Sequence, residues 1–235
     1  MYCVQIFSSV DWKATKKFLK IYPQDIKNYP IDQYFQHIIN GEKFIFYRSN
    51  GTKTTSAAAA QYAILTWKPK IIFVLGTCGG VSVHFKKLDI VIASLTGHYD
   101  CNNKMTPDKE IFYKKTKVNF DNSWIDFKSL SDVHSGIVGS ADQDVSIDNI
   151  DYLRQNNLAA ADWGSGSAAA ICHLNKVPCC IALGITDFPD KTKNNSISNQ
   201  KSEYLKNSPT IMKKLINNIL PTLLTNFQNN YETRS

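Results

Sequence analysis

The chain has 235 residues, of which 43% are apolar and 20% are charged, an ordinary globular composition. It is long enough to bury one large core, so we expect a single α/β domain over residues 1–235 and not a disordered chain. The net charge of +7 rests on scattered lysines and only three arginines. This argues against a nucleic-acid partner, because the arginines and interleaved aromatic residues that read bases are missing.

The six cysteines form no Cys-x-x-Cys pair and no regular framework, and most lie inside apolar runs. They are typical of reduced core residues, and no Cys/His group has the spacing of a zinc site. The start of the chain lacks a basic region followed by a long apolar run, and no apolar run reaches the roughly 18 residues that a membrane helix needs. We therefore expect a cytoplasmic protein without a metal site or a membrane partner.

The first predicted strand, residues 4–7, is followed by a helix at 12–21. Asp11 lies between them, either as a candidate catalytic acid or as an acid that the helix dipole favours. Residues 23–41 are interrupted by two prolines and a glycine, and the next strand is predicted at 43–47.

An alanine-rich helix that begins with Thr and Ser is predicted at 54–67, where it can lie close against a sheet. The apolar run 71–75 predicts a central parallel strand that leads into Gly76-Thr-Cys-Gly-Gly80. We interpret this segment as a glycine-rich turn that lets backbone amides approach a ligand. It matches neither a Walker loop nor Gly-x-Gly-x-x-Gly, so no nucleotide triphosphate or dinucleotide cofactor is expected.

A strand at 89–95 leads to His98 and Asp100. These two residues are either an acid–base pair or ordinary hydrogen-bonded groups, and the second interpretation is favoured. The Lys-rich residues 101–133 form a long segment of the kind that often covers a site.

A short strand at 135–138 and a helix at 149–156 come next. The stretch 160–187 then indicates a polar loop, a helix of small residues and a buried strand at 179–185. That strand ends at Asp187, and ligands of open α/β sheets bind at the carboxyl ends of strands. Asp187 is therefore a candidate for chemistry.

The last predicted element is an amphipathic helix at 202–226, whose apolar residues recur with a period close to 3.6. Pro221 is expected to kink or restart it, because proline cannot donate a backbone hydrogen bond.

The predicted strand ends carry five polar or glycine-rich segments. In chain order these are Gly76-Thr-Cys-Gly-Gly80, His98-Tyr-Asp100, Ser140-Ala-Asp-Gln-Asp144, Asp162-Trp-Gly164 and Gly184-Ile-Thr-Asp187. This order resembles the nucleoside phosphorylase/nucleosidase superfamily over residues 43–210, and most closely its 5'-methylthioadenosine/S-adenosylhomocysteine nucleosidase branch. The resemblance implies a three-layer α/β/α fold with a mixed central sheet, a purine nucleoside as ligand, no cofactor, and a homodimer.

The resemblance further implies cleavage of the N-glycosidic bond to a purine. Because electrons move into the base as this bond breaks, an acid must protonate or hydrogen-bond the leaving ring nitrogen. Asp187 matches the acid of the family, although it can equally be an N-cap for the segment that follows it. Asp11 is the only acid near the first strand end that can orient a water.

Further positions match the ligand contacts of the family. Thr77, Cys78 and Gly79 would line the ribose and the incoming nucleophile. Asp144 and Val145 fall where the family backbone meets the purine edge. Trp163 falls where an apolar side chain lies against ribose and base, or it is an ordinary half-buried aromatic.

Two departures from the family leave the reaction open. Family phosphorylases place an arginine where this chain has Val74, so water is the favoured acceptor over phosphate. The family glutamate that grips the ribose hydroxyls is replaced by Gly164, so either Asp162 or Ser165 substitutes for it, or the activity is altered. The open alternatives are a nucleosidase, a phosphorylase and a nucleoside-binding protein without turnover.

Overall fold

The computed structural model describes residues 1–101, 105, 110–189 and 196–233. Its strands are β1 Tyr2–Ile6, β2 Lys27–Asn28, β3 Gln33–Ile39, β4 Glu42–Arg48, β5 Ile72–Gly80, β6 Ile90–His98, β7 Val118–Asn119, β8 Val133–Ser140, β9 Leu158–Asp162 and β10 Cys179–Asp187. Its α-helices are α1 Ser9–Phe18, α2 Lys53–Trp67, α3 Ile150–Gln155, α4 Ser165–Leu174, α5 Ser196–Lys214 and α6 Leu220–Asn226. Residues 102–104 and 106–109, in the segment 101–133 expected to cover the site, lie outside the described residues, as do residues 190–195, 234 and 235.

All of these strands belong to one mixed sheet. Strands β1, β4, β5 and β10 are parallel to one another, and β3 joins the far side of β4 in the antiparallel direction. The sheet also closes on itself: β10 pairs with both β5 and β6, β6 continues to β8 and β9, and β9 returns to β5. Five strands therefore form a ring, four strands extend from β5 in the order β1, β4, β3 and β2, and the short β7 pairs with β6.

Helices cover both faces of the sheet, as alternation along the strands requires. Val4, Phe73 and Leu75 point to one face, where they pack with α1 and the C-terminal helices. Cys3 and Val74 point to the other, where they pack with the alanines of α2 and α4. This confirms the predicted three-layer α/β/α arrangement with a mixed central sheet.

The glycine-rich segment is not a turn as predicted, since Gly76 to Gly80 continue strand β5. Its glycines make room for neighbouring side chains. A Cβ at Gly80 would lie 2.3 Å from the ring of Phe188, and one at Gly79 would lie 3.0 Å from Val145. The glycines therefore let two loops pack against the end of the strand.

Two further strands differ from prediction. Strand β3 lies in residues 23–41, for which no strand was predicted because two prolines and a glycine interrupt them. It pairs with β4 across Asn40 and Gly41, whose φ angles are 50° and 81°. Such an Asn-Gly pair is a strong hairpin signal. Strand β9 replaces the predicted polar loop before Trp163, because Leu158 and the three alanines after it are buried between β8 and β5.

The C-terminal helix begins earlier than predicted and continues through two π-helical turns, Leu215–Ile219 and Phe227–Tyr231. Pro221 lies in the first turn of α6, directly after the first π-helical turn, and Ile219 and Leu220 keep helical φ and ψ angles, so the helix continues there without the predicted restart. Within the described parts of the chain, no helix combines the length and apolarity needed to cross a bilayer.

Candidate active site

A cavity of about 540 Å³ lies where the carboxyl ends of β1, β5, β8, β9 and β10 meet. Pairing of Gly79 with both Ala161 and Asp187 brings three of these ends together. Helix α5 forms a further wall. The cavity size is typical of small-molecule sites.

Eight of the eleven predicted site residues line this cavity. They are Thr77, Cys78, Gly79, Asp144, Val145, Asp162, Trp163 and Asp187. The other three, Asp11, Gly164 and Ser165, lie behind its wall and are not among the lining residues.

Asp187 is a nearly buried carboxyl in the cavity wall, with 7% exposure. Its Oδ1 accepts a hydrogen bond from the Thr186 hydroxyl, and its Oδ2 accepts one from the Gln200 amide at 2.9 Å. Burial raises the pKa of the Asp187 carboxyl, and the charge of Asp144 raises it further, whereas the two hydrogen bonds oppose the shift. The side chain is thus held in one orientation and favours the proton more than a free aspartate does.

Asp11 is completely buried in the first turn of α1, and it reaches the cavity through another residue. The Thr77 hydroxyl, which lines the cavity, donates to Asp11 Oδ2 at 3.0 Å. Burial raises the pKa of Asp11 to about 6. Since Thr77 donates its proton to Asp11, its oxygen lone pairs can accept a hydrogen bond from a ligand.

Asp11 gives a prediction on the pH dependence of stability. The unfolded chain ionises this group near pH 4, whereas the folded protein keeps the proton up to about pH 6, so its contribution to the free energy of unfolding falls by about 3 kcal/mol across that window. Asp11→Asn should remove this fall. Urea unfolding should show the variant gaining stability relative to the unmodified protein between pH 4 and pH 7, and an unchanged difference would contradict the prediction.

The carboxylate of Asp162 is occupied by contacts within the protein. It accepts hydrogen bonds from the hydroxyls of Ser140 and Ser165 and from the Ser165 backbone N–H. Ser140 in turn accepts from the Gly166 N–H at 2.8 Å. Asp162 therefore binds the first N–H of α4, and the two proposed substitutes for the family glutamate bind each other.

Gly164 lies against helix α2. A Cβ built on it would lie 2.3 Å from the Oγ of Ser56, which is fully buried and 3.2 Å from the Oγ of Ser49. A larger residue at this position would have to move the Ser56 hydroxyl, which also contacts Ser49, so the glycine and the close approach of α2 belong together.

Trp163 is partly exposed at the cavity, with 37% of its surface accessible. Its indole N–H donates to Asp144 Oδ1 at 3.0 Å, which joins the segments after β8 and β9. The Asp144 backbone carbonyl is fixed separately by Asn149. The two side chains give this wall an aromatic face next to a carboxylate.

Helix α5 supplies cavity residues that the sequence did not single out. They are Ile197, Gln200, Lys201 and Tyr204. Their i, i+3, i+4, i+7 spacing is the signal that would have found them, since it places all four on one helix face. Gln200 donates to both Asp187 and the Val145 carbonyl, and Tyr204 donates to Ser8 Oγ at 2.9 Å. This helix face thus fixes the acid and two other walls of the cavity.

Positive charge at the cavity is sparse. Lys201 is the one cationic residue among the described lining residues. Arg48 is paired with Asp32 at 2.6 Å outside the cavity. In the described parts of the chain, no cluster of His, Cys, Asp and Glu has the arrangement of a metal site.

Two other candidate groups have structural partners. His98 Nε2 lies 2.7 Å from Ser167 Oγ, whereas Asp100 pairs with Lys53, so the two residues do not form an acid–base pair. Burial raises the pKa of the Cys78 thiol well above its usual range. Cys78 is therefore a neutral wall residue and not a thiolate nucleophile.

The chain has a mixed sheet between two helix layers, with a cavity at the carboxyl ends of the strands. This is the architecture of α/β proteins that bind small ligands at that edge of the sheet. Within that class, the chain belongs to the phosphorylase superfamily, whose family model matches residues 13–217.

Nucleosidases are among the proteins to which this chain is similar. The chain is 23% identical over 167 residues to a 5'-methylthioadenosine/S-adenosylhomocysteine nucleosidase of Haemophilus influenzae (strain PittEE), covering 66% of this chain and 73% of the relative. A solved nucleosidase of the same name from Colwellia psychrerythraea 34H, in complex with adenine, has a TM-score of 0.76 at 16% identity, covering 96% of this chain and 95% of the other. Futalosine hydrolase of Helicobacter pylori strain 26695 has a TM-score of 0.74 at 17% identity, covering 92% and 96%. The solved structures share the fold.

Proposed function

We propose that the protein hydrolyses the N-glycosidic bond of a purine nucleoside such as 5'-methylthioadenosine or S-adenosylhomocysteine. The observation that carries the proposal is Asp187, a buried carboxyl with a raised pKa in the wall of a cavity of nucleoside size. The names of the relatives support the same reaction class.

In this mechanism Asp187 acts as the general acid. The bond between ribose C1' and the purine breaks, its electron pair moves into the base, and the Asp187 proton goes to a ring nitrogen of the leaving base. Thr186 and Gln200 hold the carboxyl in position during the transfer. Water then adds to C1' and releases a proton, which restores the acid.

In this mechanism Thr77 and Asp11 act on the attacking water or on the ribose. Thr77 faces the cavity with its lone pairs, because its proton is directed to Asp11. It is placed to accept a hydrogen bond from the attacking water or from a ribose hydroxyl. Asp11 is then a positioning residue, since it acts on the ligand through Thr77.

A nucleoside-binding protein without turnover is the second candidate. It is favoured by Gly164 and by the internal hydrogen bonds of Asp162, because the one carboxylate at the positions assigned to the ribose is engaged by the serines. A phosphorylase has less support, because Lys201 is the one described cation lining the cavity and phosphate binding needs several donors.

Incubation of the purified protein with methylthioadenosine, S-adenosylhomocysteine, adenosine and inosine, with and without phosphate, tests the three alternatives. Free base released without phosphate supports hydrolysis. Base released only with phosphate supports phosphorolysis and refutes hydrolysis. A nucleoside that raises the melting temperature but yields no base supports the binding protein.

We also propose that the protein is a cytoplasmic homodimer with one domain per chain. Leu65 on α2 and Leu174 on α4 are 67% and 73% exposed. Their helices are neighbours, joined by hydrogen bonds between Gln61 and Asn175. Exposed apolar side chains on one helix pair suit an interface between two copies. Sedimentation velocity tests the dimer, and a monomer at micromolar concentration would refute it.

A further inference from the structure

A second cavity, of about 420 Å³, lies on the five-stranded ring of the sheet and shares no lining residue with the first. Its walls come from β6, β8 and β9, from α3, and from the segment that follows β5. This volume also falls within the range of small-molecule sites.

The polar lining of this cavity consists of hydrogen-bond donors without an acid. The residues are Ser82, His84, Ser94, Ser135, Arg154 and Asn157. No Asp or Glu is among the described lining residues, so the fixed charge here is that of Arg154. A cavity of this kind attracts an anion, and hydroxyl and amide donors can complete its hydrogen bonds.

Arg154 is held in place by the protein. Its Nε donates to the Val81 carbonyl at 2.9 Å, which uses one of the five donors of the guanidinium. Val81 is itself fixed, because its N–H and that of Ser82 both donate to the Ala159 carbonyl, at 3.0 and 3.2 Å. The orientation of the guanidinium is therefore set before a ligand arrives, which lowers the entropic cost of binding.

The remaining wall is apolar and includes Phe85, Ile137 and Leu158. The ring of Phe85 is fixed edge-on against His134, with 5.4 Å between the ring centroids. An aromatic or aliphatic body can lie against these side chains while its charged end meets Arg154.

We propose that this second cavity binds a small organic anion, whose phosphate or carboxylate contacts Arg154 and the serine hydroxyls and whose apolar body lies against Phe85. The proposal is independent of the nucleosidase reaction, since no group of the first cavity takes part. It also bears on the assay with phosphate, because an anion in the second cavity would stabilise the protein without being a reactant.

The test uses the full chain and three probes of similar shape: phenyl phosphate, benzoate and the neutral benzyl alcohol. Isothermal titration calorimetry should show at least one anion binding ten times or more tightly than the alcohol, and less tightly at high salt. Binding of phenyl phosphate alone identifies a phosphate site, and binding of benzoate alone identifies a carboxylate site. Failure of both anions to bind more tightly than the alcohol refutes the proposal.

Two variants locate the binding. Arg154→Gln should lower the affinity for the anion at least tenfold. Ser135→Asp places a negative charge at an exposed lining position and leaves the hydrogen bond between Arg154 and Val81 in place. It should weaken anion binding to a similar extent. Lys13→Gln removes an equal charge from the exposed side of α1 and should change nothing. Binding that survives both lining variants, or that is lost in Asp187→Asn, would place the anion in the first cavity and overturn the proposal.

Discussion

Replacing Asp187 with asparagine is expected to lower kcat for release of the purine base by about 10²- to 10⁴-fold, the range that a general acid contributes. Asparagine has nearly the same shape and can still accept the Thr186 hydrogen bond, but it has no proton to give to the leaving base. Spectroscopic measurement of free base at saturating nucleoside gives kcat directly. KM should change far less than kcat, because the loss concerns the transition state.

Asp148→Asn is the matched control for this experiment. Asp148 is an exposed acid outside the cavity, and the same change there should leave kcat unaltered. Circular dichroism and the melting temperature establish that both variants are folded. Equal kcat for Asp187→Asn and the unmodified protein would remove Asp187 from the mechanism.

The sequence was sufficient to place Asp187 and Thr77 at one edge of the sheet. Both follow long buried runs, and parallel strands bring their carboxyl ends to the same edge. The hydrogen bond between Thr77 and Asp11 joins positions 66 residues apart. No local pattern specifies such a contact, because it depends on how α1 packs on the sheet.

Two features that the sequence did not show have a similar origin. Glycines from Gly76 to Gly80 have the local signature of a turn, but the room they leave is filled by Phe188 and Val145 from distant loops. Asp162 is a predicted substitute for the family glutamate at position 164, and its carboxylate accepts hydrogen bonds from Ser140 and Ser165. The contact with Ser140 comes from another strand, so no local pattern signals it. Local propensity was overridden by tertiary packing in both cases.

The contact between Gly164 and Ser56 gives the second large expected effect. Gly164→Glu should lower the free energy of unfolding by about 3 kcal/mol, because its Cβ would lie 2.3 Å from Ser56 Oγ in a packed interior. Ser56→Gly should cost about 1 kcal/mol, as glycine does inside a helix. The double variant should be more stable than the sum of the two losses predicts. Urea unfolding of the four proteins measures this coupling, and additive losses would contradict the steric explanation.

The same double variant tests whether the missing carboxylate limits ribose binding. A carboxylate that accepts two ribose hydroxyls contributes about 1.5 to 3 kcal/mol, so Gly164→Glu with Ser56→Gly should bind a ribonucleoside about 10- to 100-fold more tightly. Gly164→Gln with Ser56→Gly is the matched control, since glutamine has the same size without the charge. Calorimetric titration with methylthioadenosine compares them. Tighter binding in the glutamate variant alone would mean that the missing carboxylate limits ribose binding, and equal affinities would mean that the sugar is held by other walls of the cavity.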